Sequence, residues 1–264
     1  ANHKDLKEVW FPSEHTANSF LDAGLNKQYK IIPHGVNTSL YTPNGDKNKE
    51  FDNDNYKFLF VGGWRDGEKD RKGLDVALRA FTEEFGKDEK VQFIVKINMA
   101  YQQPQQILEN IRKLELKQVS DRATVSLIMQ NWPENELAKL YRSADCFVMP
   151  TKAEAFCMPC ADAMACGLPV LTTGYGGQSE YVFASQEDGL IDYQMTQATG
   201  ENYFYEQAEW AQPNQTHLQD LMREVFDMRK EWKAIGEANA KFIRESLTWT
   251  HTAKTIVKRL EELQ

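Results

Sequence analysis

Short apolar runs alternate with amphipathic stretches along most of the chain. Five apolar runs have the length and composition of buried strands, and they lie at residues 57–61, 91–97, 124–129, 146–149 and 169–173. Apolar positions at helical spacing predict helices at residues 74–85, 105–116, 134–143, 159–166, 217–228, 231–245 and 252–263. Strands that alternate with helices form βαβ units, so we expect an α/β fold, a Rossmann-like doubly wound parallel sheet with helices on both faces.

The amino-terminal residues have a different pattern. A short strand is expected at residues 9–12. It leads to Ser13, which is a good helix N-cap, and the helix that follows is predicted to end near Gly24. A second short strand is expected at residues 29–33.

Residues 36–55 are rich in Asn, Asp, Gly and Lys, which is the composition of a linker. We therefore expect one part at residues 1–45 and a larger domain at residues 46–264. Because Ala1 stands where an initiator Met would, and a strand follows almost at once, we expect a piece of a longer protein.

Composition and charge disfavour several classes of function. The 264 residues include 31 basic and 39 acidic side chains, a net charge of −8, so no broad positive field exists to gather nucleic acid. The longest apolar runs are strand-sized, far short of the ~20 residues that cross a bilayer. Four cysteines lie close together, but the C-x-x-C of Cys157 and Cys160 has no second pair and no His at ligand spacing. We expect buried thiols and no metal site.

The loop after the first strand of the larger domain, residues 62–73, combines four basic residues with four glycines. Glycine lets a ligand approach the backbone, and Arg and Lys neutralise phosphate oxygens. The loop lacks the G-x-G-x-x-G pattern and no acidic residue follows the second strand, which disfavours an NAD enzyme. The alternative is a solvated polar loop whose acidic residues cancel its charge.

The loop after the fourth strand places two carboxylates, Glu154 and Asp162, on either side of a predicted helix start. The unpaired amides of residues 156–158 form an anion site there, and the carboxylates can accept hydrogen bonds from sugar hydroxyls. The alternative is that Asp162 only offsets the helix dipole and Glu154 is a surface residue. The glycine-rich residues 173–180 either close over a ligand or form a simple turn.

Several motifs in a fixed order carry a resemblance to a known family. Residues 12–14 and 32–37 look like the end of an amino-terminal domain and the segment that connects it to the carboxyl-terminal domain. Residues 58–62 with 71–73 are similar to a first strand and phosphate loop, and residues 154–170 resemble an E-x7-E element with its Ala-Met-Ala-x-Gly-x-Pro-Val tail. The chain thus resembles the carboxyl-terminal domain of the retaining GT-B fold glycosyltransferases of group 1, also called family 4.

The resemblance implies roles for particular residues. Glu154 contacts the donor sugar and Asp162 the ribose. Lys72 and Arg65 hold the diphosphate and, with Glu154, form the catalytic set. Because the first loop is longer than usual, Arg71 is the alternative to Arg65. The remaining positions implied are, for donor binding, Gly63, Phe156, Cys157 and Met158, and, for the base, Met129, Gln130 and Trp132.

The implied activity is transfer of a hexose from a UDP- or GDP-linked sugar, with retention of anomeric configuration and with no metal or other cofactor. The acceptor, a saccharide, lipid or protein, would be held by an amino-terminal domain. That domain is either missing from this chain or supplied by a partner. The alternative function is a non-catalytic nucleotide-sugar-binding half or partner subunit. We expect a cytoplasmic location, with membrane association of the full-length enzyme left open.

Three positions depart from the family pattern. Ala155 and Cys157 stand where glycines usually flank Phe156, and Asp162 stands where the second Glu is usual. A β-carbon at position 157 would crowd a close-packed donor, whereas the shorter acid still reaches two vicinal hydroxyls with a small shift.

Overall fold

A parallel sheet forms the centre of the computed structural model, which describes residues 4–65, 67–100, 102–186, 188–199 and 208–264. The strands of these residues are, in chain order, β1 (Glu8–Phe11), β2 (Gln28–Ile31), β3 (Tyr56–Gly62), β4 (Val91–Ile97), β5 (Thr124–Ile128), β6 (Cys146–Met149), β7 (Val170–Thr173), β8 (Leu190–Ile191), β9 (Tyr193–Gln197) and β10 (Glu209–Pro213). The central sheet has the order β5-β4-β3-β6-β7-β8. Outside it, β1 pairs with β2 in parallel and β9 pairs with β10 antiparallel.

Helices cover the sheet. Within the described residues they are α1 (Glu14–Asp22), α2 (Leu74–Glu84), α3 (Pro104–Lys113), α4 (Glu134–Ser143), α5 (Met158–Ala165), α6 (Gly177–Ser185), α7 (Gln215–Asp227), α8 (Arg229–Ser246) and α9 (Trp249–Glu262). Short 3-10 turns lie at Lys49–Phe51 and Gly67–Lys69. The doubly wound α/β sheet predicted from the sequence is confirmed.

The core explains why these runs become central strands. All seven residues of β4 are buried, as are the first six of β3, because helices cover both faces of the sheet. Aromatic rings fill the space beneath α2: Phe81 lies 6.1 Å from Phe58 and 5.2 Å from Phe93, measured between ring centroids. Strands β4 and β6 and helix α4 begin and end at the predicted residues.

The prediction for residues 173–180, a closing loop or a simple turn, missed a helix, because the bend between strand and helix covers only residues 174–176. The chain leaves β7 and enters helix α6 at Gly177. The carboxylate of Glu180 accepts hydrogen bonds from the backbone N–H groups of Glu14 (3.2 Å) and His15 (2.7 Å) and so caps the start of α1. This segment therefore braces the amino-terminal part against the sheet.

The amino-terminal part also contacts the last helix. Val36 forms a β-bridge with Thr248, and Arg259 on α9 forms an ion pair with Glu8 on β1. The hydroxyl of Thr252 donates to the carbonyl of Pro33 at 2.8 Å. The division of the chain near residue 45 stays a prediction.

The described helices include none that is both long and apolar enough to cross a membrane. All four cysteines are free and buried, as the sequence predicts. In the described part of the chain no group of three His, Cys, Asp or Glu residues is placed to hold a metal ion.

Candidate functional site

A cavity of about 660 Å³ lies at the carboxyl ends of β3, β4 and β5 and at the start of α5. In doubly wound sheets this edge is where ligands bind. The lining residues are Val61, Gly62, Gly63, Arg71, Lys72, Lys96, Asn98, Asn131, Trp132, Leu137, Tyr141, Met158, Pro159 and Asp162.

The loop from β3 to α2 is shaped by one buried carboxylate and one glycine. Asp70 accepts hydrogen bonds from the backbone N–H groups of Arg65 and Lys72, both at 2.7 Å, which draws the two ends of the loop together. Gly73 has φ +68°, and a β-carbon there would lie closer than 3.0 Å to the carbonyl oxygen of Pro150. Only glycine fits this close approach, which places Lys72 beside the loop that follows β6.

Two cations meet Glu154 at this point. Lys72 Nζ donates to the Glu154 carboxylate, and Arg71 forms an ion pair with the same oxygen at 2.9 Å. Arg71 also donates to the carbonyl of Ala153 at 2.8 Å. The side chain of Glu154 is 9% exposed, against 18% for Lys72 and 38% for Arg71, so the anion is enclosed and the cations border the cavity. The sequence predicted that these residues act together, and the fold brings them into contact.

Lys152 supports this arrangement, and sequence reasoning missed it. Its Nζ donates to the carbonyl of Glu68 at 2.8 Å, lies 4.0 Å from a carboxylate oxygen of Asp75 and sits 5.1 Å from the centre of the Trp210 ring. Burial raises the pKa of Asp75 to about 6, and the charge of Lys152 opposes that rise. The lysine thus ties the loop between β3 and α2 to helix α2 and to the segment after β6.

The backbone of residues 154–157 is clamped from one side. Its four carbonyls accept hydrogen bonds from the Gly177 amide (2.8 Å), the Ser13 hydroxyl (2.7 Å) and the Tyr181 hydroxyl, which lies 3.0 Å from the carbonyl of residue 156 and 2.8 Å from that of residue 157. Among the described residues, the N–H groups of residues 156–158 have no hydrogen-bond acceptor. They lie at the amino end of α5, where the helix dipole also favours an anion.

Cys157 is the N-cap of α5 and has left-handed backbone angles, φ 63° and ψ 72°. Such angles favour glycine, which stands here in the family pattern, because a β-carbon strains this conformation. The thiol is buried and lies 3.2 Å from the sulfur of Cys160. The side chain therefore points into the protein, and the departure from glycine costs backbone strain.

Asp162 lies one turn into α5 and lines the cavity. Burial raises the pKa of its carboxyl group to about 7, and the nearby charge of Glu134 adds to the rise. The buried hydroxyl of Tyr141, also in the cavity wall, has no hydrogen-bond partner in the described part of the chain. This end of the cavity therefore holds polar groups that a ligand can satisfy.

The structure sorts the predicted site residues. Six line the cavity: Gly63, Arg71, Lys72, Trp132, Met158 and Asp162. Glu154 is not in the lining, but it is paired with Lys72 and Arg71, which are. The others lie outside the lining: Arg65, which is exposed, Met129, Gln130, and the buried side chains of Phe156 and Cys157. Asn131, which lies within the range 129–132 expected to meet the base, also lines the cavity, and Lys96 and Asn98 line it without having been predicted.

Known structures share the whole architecture. The sucrose-phosphate synthase of Thermosynechococcus elongatus superimposes with a TM-score of 0.74 at 19% identity, over 97% of this chain and 58% of that one. Anabaena HepE in complex with UDP-glucose gives a TM-score of 0.72 at 15% identity, over 98% of this chain and 65% of that one. The fold is that of the GT-B glycosyltransferases, as the sequence predicts.

The family follows from the sequence match. The family model of the group 1 glycosyl transferases matches residues 55–201, more than half of the chain, and the chain belongs to that family. A D-inositol 3-phosphate glycosyltransferase of Segniliparus rotundus is 28% identical over 193 residues, which cover 66% of this chain and 40% of the relative. The chain thus spans less than half the length of that relative.

Proposed function

We propose that this chain is the donor-binding part of a glycosyltransferase that uses a nucleotide-diphosphate sugar. One observation carries the proposal: Lys72 and Arg71 border the same cavity as Asp162, next to the unpartnered amides of residues 156–158. Cations and helix-end amides suit a diphosphate, and a carboxylate suits the ribose hydroxyls. The shared fold of HepE, whose structure contains UDP-glucose, favours a UDP-linked sugar over a GDP-linked one.

The proposed chemistry is charge stabilisation at the leaving diphosphate. When a donor binds, its phosphate oxygens compete with Glu154 for Lys72 and Arg71. The freed Glu154 carboxylate then accepts hydrogen bonds from hydroxyls of the transferred hexose. The two cations and the end of α5 offset the negative charge that grows as the glycosidic bond breaks, which can lower the barrier by several kcal/mol, about 2.7–4 for each well-placed donor.

Retention of configuration is part of the proposal. The donor phosphate deprotonates the acceptor hydroxyl on the face that the leaving group occupies, so the new bond forms on that same face. The positive charge that this step needs comes from protein groups, and no metal or other cofactor is assigned a role. The acceptor, a saccharide, lipid or protein, would be bound by an amino-terminal domain or a partner subunit.

Calorimetric titration with UDP, GDP and ADP tests the donor site. We expect UDP to bind, and Lys72→Ala to weaken binding at least tenfold, because a charge-assisted hydrogen bond to phosphate is lost. Lys69→Ala is the matched control, since Lys69 is an exposed lysine of the same loop outside the cavity lining. No binding of any nucleotide at millimolar concentration would contradict the proposal.

A second candidate is donor binding without turnover. The strained Cys157 and the shorter Asp162 favour it, because both depart from the family pattern at the donor site. The rate at which the chain hydrolyses UDP-glucose can be compared with that of a Cys157→Gly, Asp162→Glu double variant. Activity in the double variant alone supports this candidate, and measurable hydrolysis by the unaltered chain, at a rate equal to that of the double variant, contradicts it.

A further inference from the structure

A buried lysine lies in the cavity wall with no role in the site described so far. Lys96 belongs to β4, where its sheet neighbours in register are Val61 on β3 and Ile128 on β5. It is only 5% exposed, and it lines the cavity. Fully enclosed lysines without a counter-ion are rare because the charge loses its hydration.

The contacts of Lys96 leave most of its hydrogen-bonding capacity unused. Its Nζ donates to the carbonyl of Ile97 at 3.2 Å and lies 5.9 Å from the centre of the Trp132 ring. In the described part of the chain no carboxylate lies within ion-pair distance of this ammonium group. Burial lowers the pKa of Lys96, as expected for a cation without an anionic partner. Two of its three N–H donors thus remain for a ligand.

Two neighbouring amides make the same wall rich in donors. Asn98 uses its side-chain oxygen to accept from the backbone of Ala100 at 2.9 Å, and Asn131 uses its own to accept from Met99 at 3.1 Å. The NH₂ groups of both side chains are left for other partners. A wall of Lys96, Asn98 and Asn131 therefore complements a ligand edge that carries hydrogen-bond acceptors.

The order of strands says which part of a nucleotide meets this wall. Arg71 and Lys72 belong to the loop after β3 and contact the loop after β6, whereas Lys96 lies on β4 and Trp132 in the loop after β5. With strands spaced about 4.8 Å apart, the outer wall lies roughly 10–15 Å across the sheet from the β6 loop. A diphosphate at the inner end thus places the nucleoside, and not a phosphate, beside Lys96.

We propose that Lys96 is a specificity-determining residue whose ammonium group donates a hydrogen bond to the keto oxygen at position 4 of a uracil base on the donor nucleotide. The proposal rests on the donor site proposed above. An ammonium group attracts a carbonyl oxygen and repels an amino group at the same ring position. Lys96 therefore favours uracil, which has a keto oxygen at position 4, over cytosine, which has an amino group there. The two bases share the keto oxygen at position 2 and differ also in the proton on N3.

The test compares UDP with CDP by calorimetry, because the two ligands share their ribose, diphosphate and size. We expect the unaltered chain to bind UDP about tenfold more tightly than CDP, the effect of one hydrogen bond to a charged donor. Lys96→Met should remove that preference mainly by weakening UDP. Lys57→Met is the matched control, since Lys57 is a buried strand lysine that bonds the carbonyls of Asn53 and Asn55 outside the cavity lining.

Other outcomes overturn the proposal. Equal binding of UDP and CDP by the unaltered chain contradicts it. So does a Lys96→Met variant that weakens both ligands equally, since the lysine then contacts a group that the two ligands share: the position-2 keto oxygen, the ribose or the phosphate. Should Lys96→Met not fold, as circular dichroism would report, Lys96→Arg keeps the cation and must keep the preference for UDP. If no nucleotide binds at all, the donor site itself fails. If both bind alike, only the role of Lys96 fails.

Discussion

The two ends of the cavity carry charge in opposite ways. At the end proposed to bind the diphosphate, called the phosphate end, Lys72 and Arg71 are already paired with Glu154. At the end proposed to bind the nucleoside, called the nucleoside end, Lys96 and Asp162 face the cavity without an ion-pair partner among the described residues. A ligand at the first end must displace an internal partner, whereas a ligand at the second end supplies the first partner.

We expect the phosphate end to contribute affinity for nucleotides in general and the nucleoside end to contribute selectivity among them. An exchange of partners at the phosphate end lets any diphosphate replace Glu154, so that end should bind many nucleotides. Buried groups without partners are costly to keep and gain most from a ligand that matches them, so a mismatched ligand leaves them unsatisfied. The nucleoside end should therefore decide which nucleotide is accepted.

The largest expected effect is a loss of stability at the phosphate end, where Glu154 is paired. Gly177→Ala would bring a β-carbon closer than 3.0 Å to the carbonyl of Ala155, so the loop that carries Glu154 must move. We expect a loss of about 3 kcal/mol in the free energy of unfolding, measured by chemical denaturation. At Gly86, by contrast, the nearest atom would lie 3.9 Å away, and Gly86→Ala should change stability little. Equal stabilities of the two variants would show that the clamp on the loop is not rigid.

The next effect is on the pH dependence of stability and concerns Asp162 at the nucleoside end. Asp162 has a pKa of about 7 in the fold against 3.8 as a free side chain, so its protonated form is favoured and its contribution to stability falls as pH rises from about 4 to 7. Asp162→Asn should raise the free energy of unfolding by about 2 kcal/mol at pH 8, less than the full shift because the amide is also buried, and leave it unchanged at pH 4. Denaturation at the two pH values measures this.

The ionised form of Asp162 destabilises the fold but should strengthen ligand binding. Ribose hydroxyls donate best to the ionised carboxylate, so the affinity of the unaltered chain for UDP-glucose, whose diphosphate does not titrate in this range, should rise between pH 6 and pH 8 and be flat in Asp162→Asn. A pH-independent affinity in the unaltered chain would contradict a ribose contact at Asp162.

A smaller effect decides between the two arginines of the phosphate loop. Arg71 lines the cavity and Arg65 is exposed outside it. Arg71→Ala should weaken UDP binding about tenfold and Arg65→Ala less than about twofold, measured by calorimetry. The reverse order would mean that the loop rearranges when the ligand binds and that the family pattern, which favours Arg65, is correct.

The smallest effect concerns the backbone between the two ends. Cys157→Gly and Cys157→Ala both remove the thiol, but only glycine relieves the left-handed strain at φ 63°. We expect the glycine variant to be more stable than the alanine variant by about 1 kcal/mol, measured by thermal unfolding. Equal stability would mean that the N-cap of α5 adopts another conformation.

Local pattern predicted most of the sheet because buried parallel strands have a distinctive composition. It failed at α6, since a helix that begins with Gly176 and Gly177 looks like a turn, and the reason for glycine there is the carbonyl of Ala155 from another loop. It also missed the short strand β8 and the antiparallel pair β9 and β10, whose partners are not adjacent in sequence.

The site divided in the same way. Lys72, Glu154 and Asp162 lie in motifs, so their types and spacing could be recognised in the sequence. Lys96 lies inside an apolar strand, and nothing nearby in the sequence shows that its side chain meets the cavity. The choice of Arg71 over Arg65 depends on Asp70, whose two hydrogen bonds fold the loop, and spacing alone does not reveal such bonds.

The ion pair between Glu8 and Arg259 joins residues that are 251 positions apart, and the bridge of Val36 with Thr248 joins the same two segments. Neither segment can separate from the other without breaking both contacts. Strand β1 and helix α9 should therefore open as one cooperative unit, and their amide hydrogens should report a common free energy of opening that differs from that of the central sheet. The two ends of the described chain are thus expected to pack together and to open together.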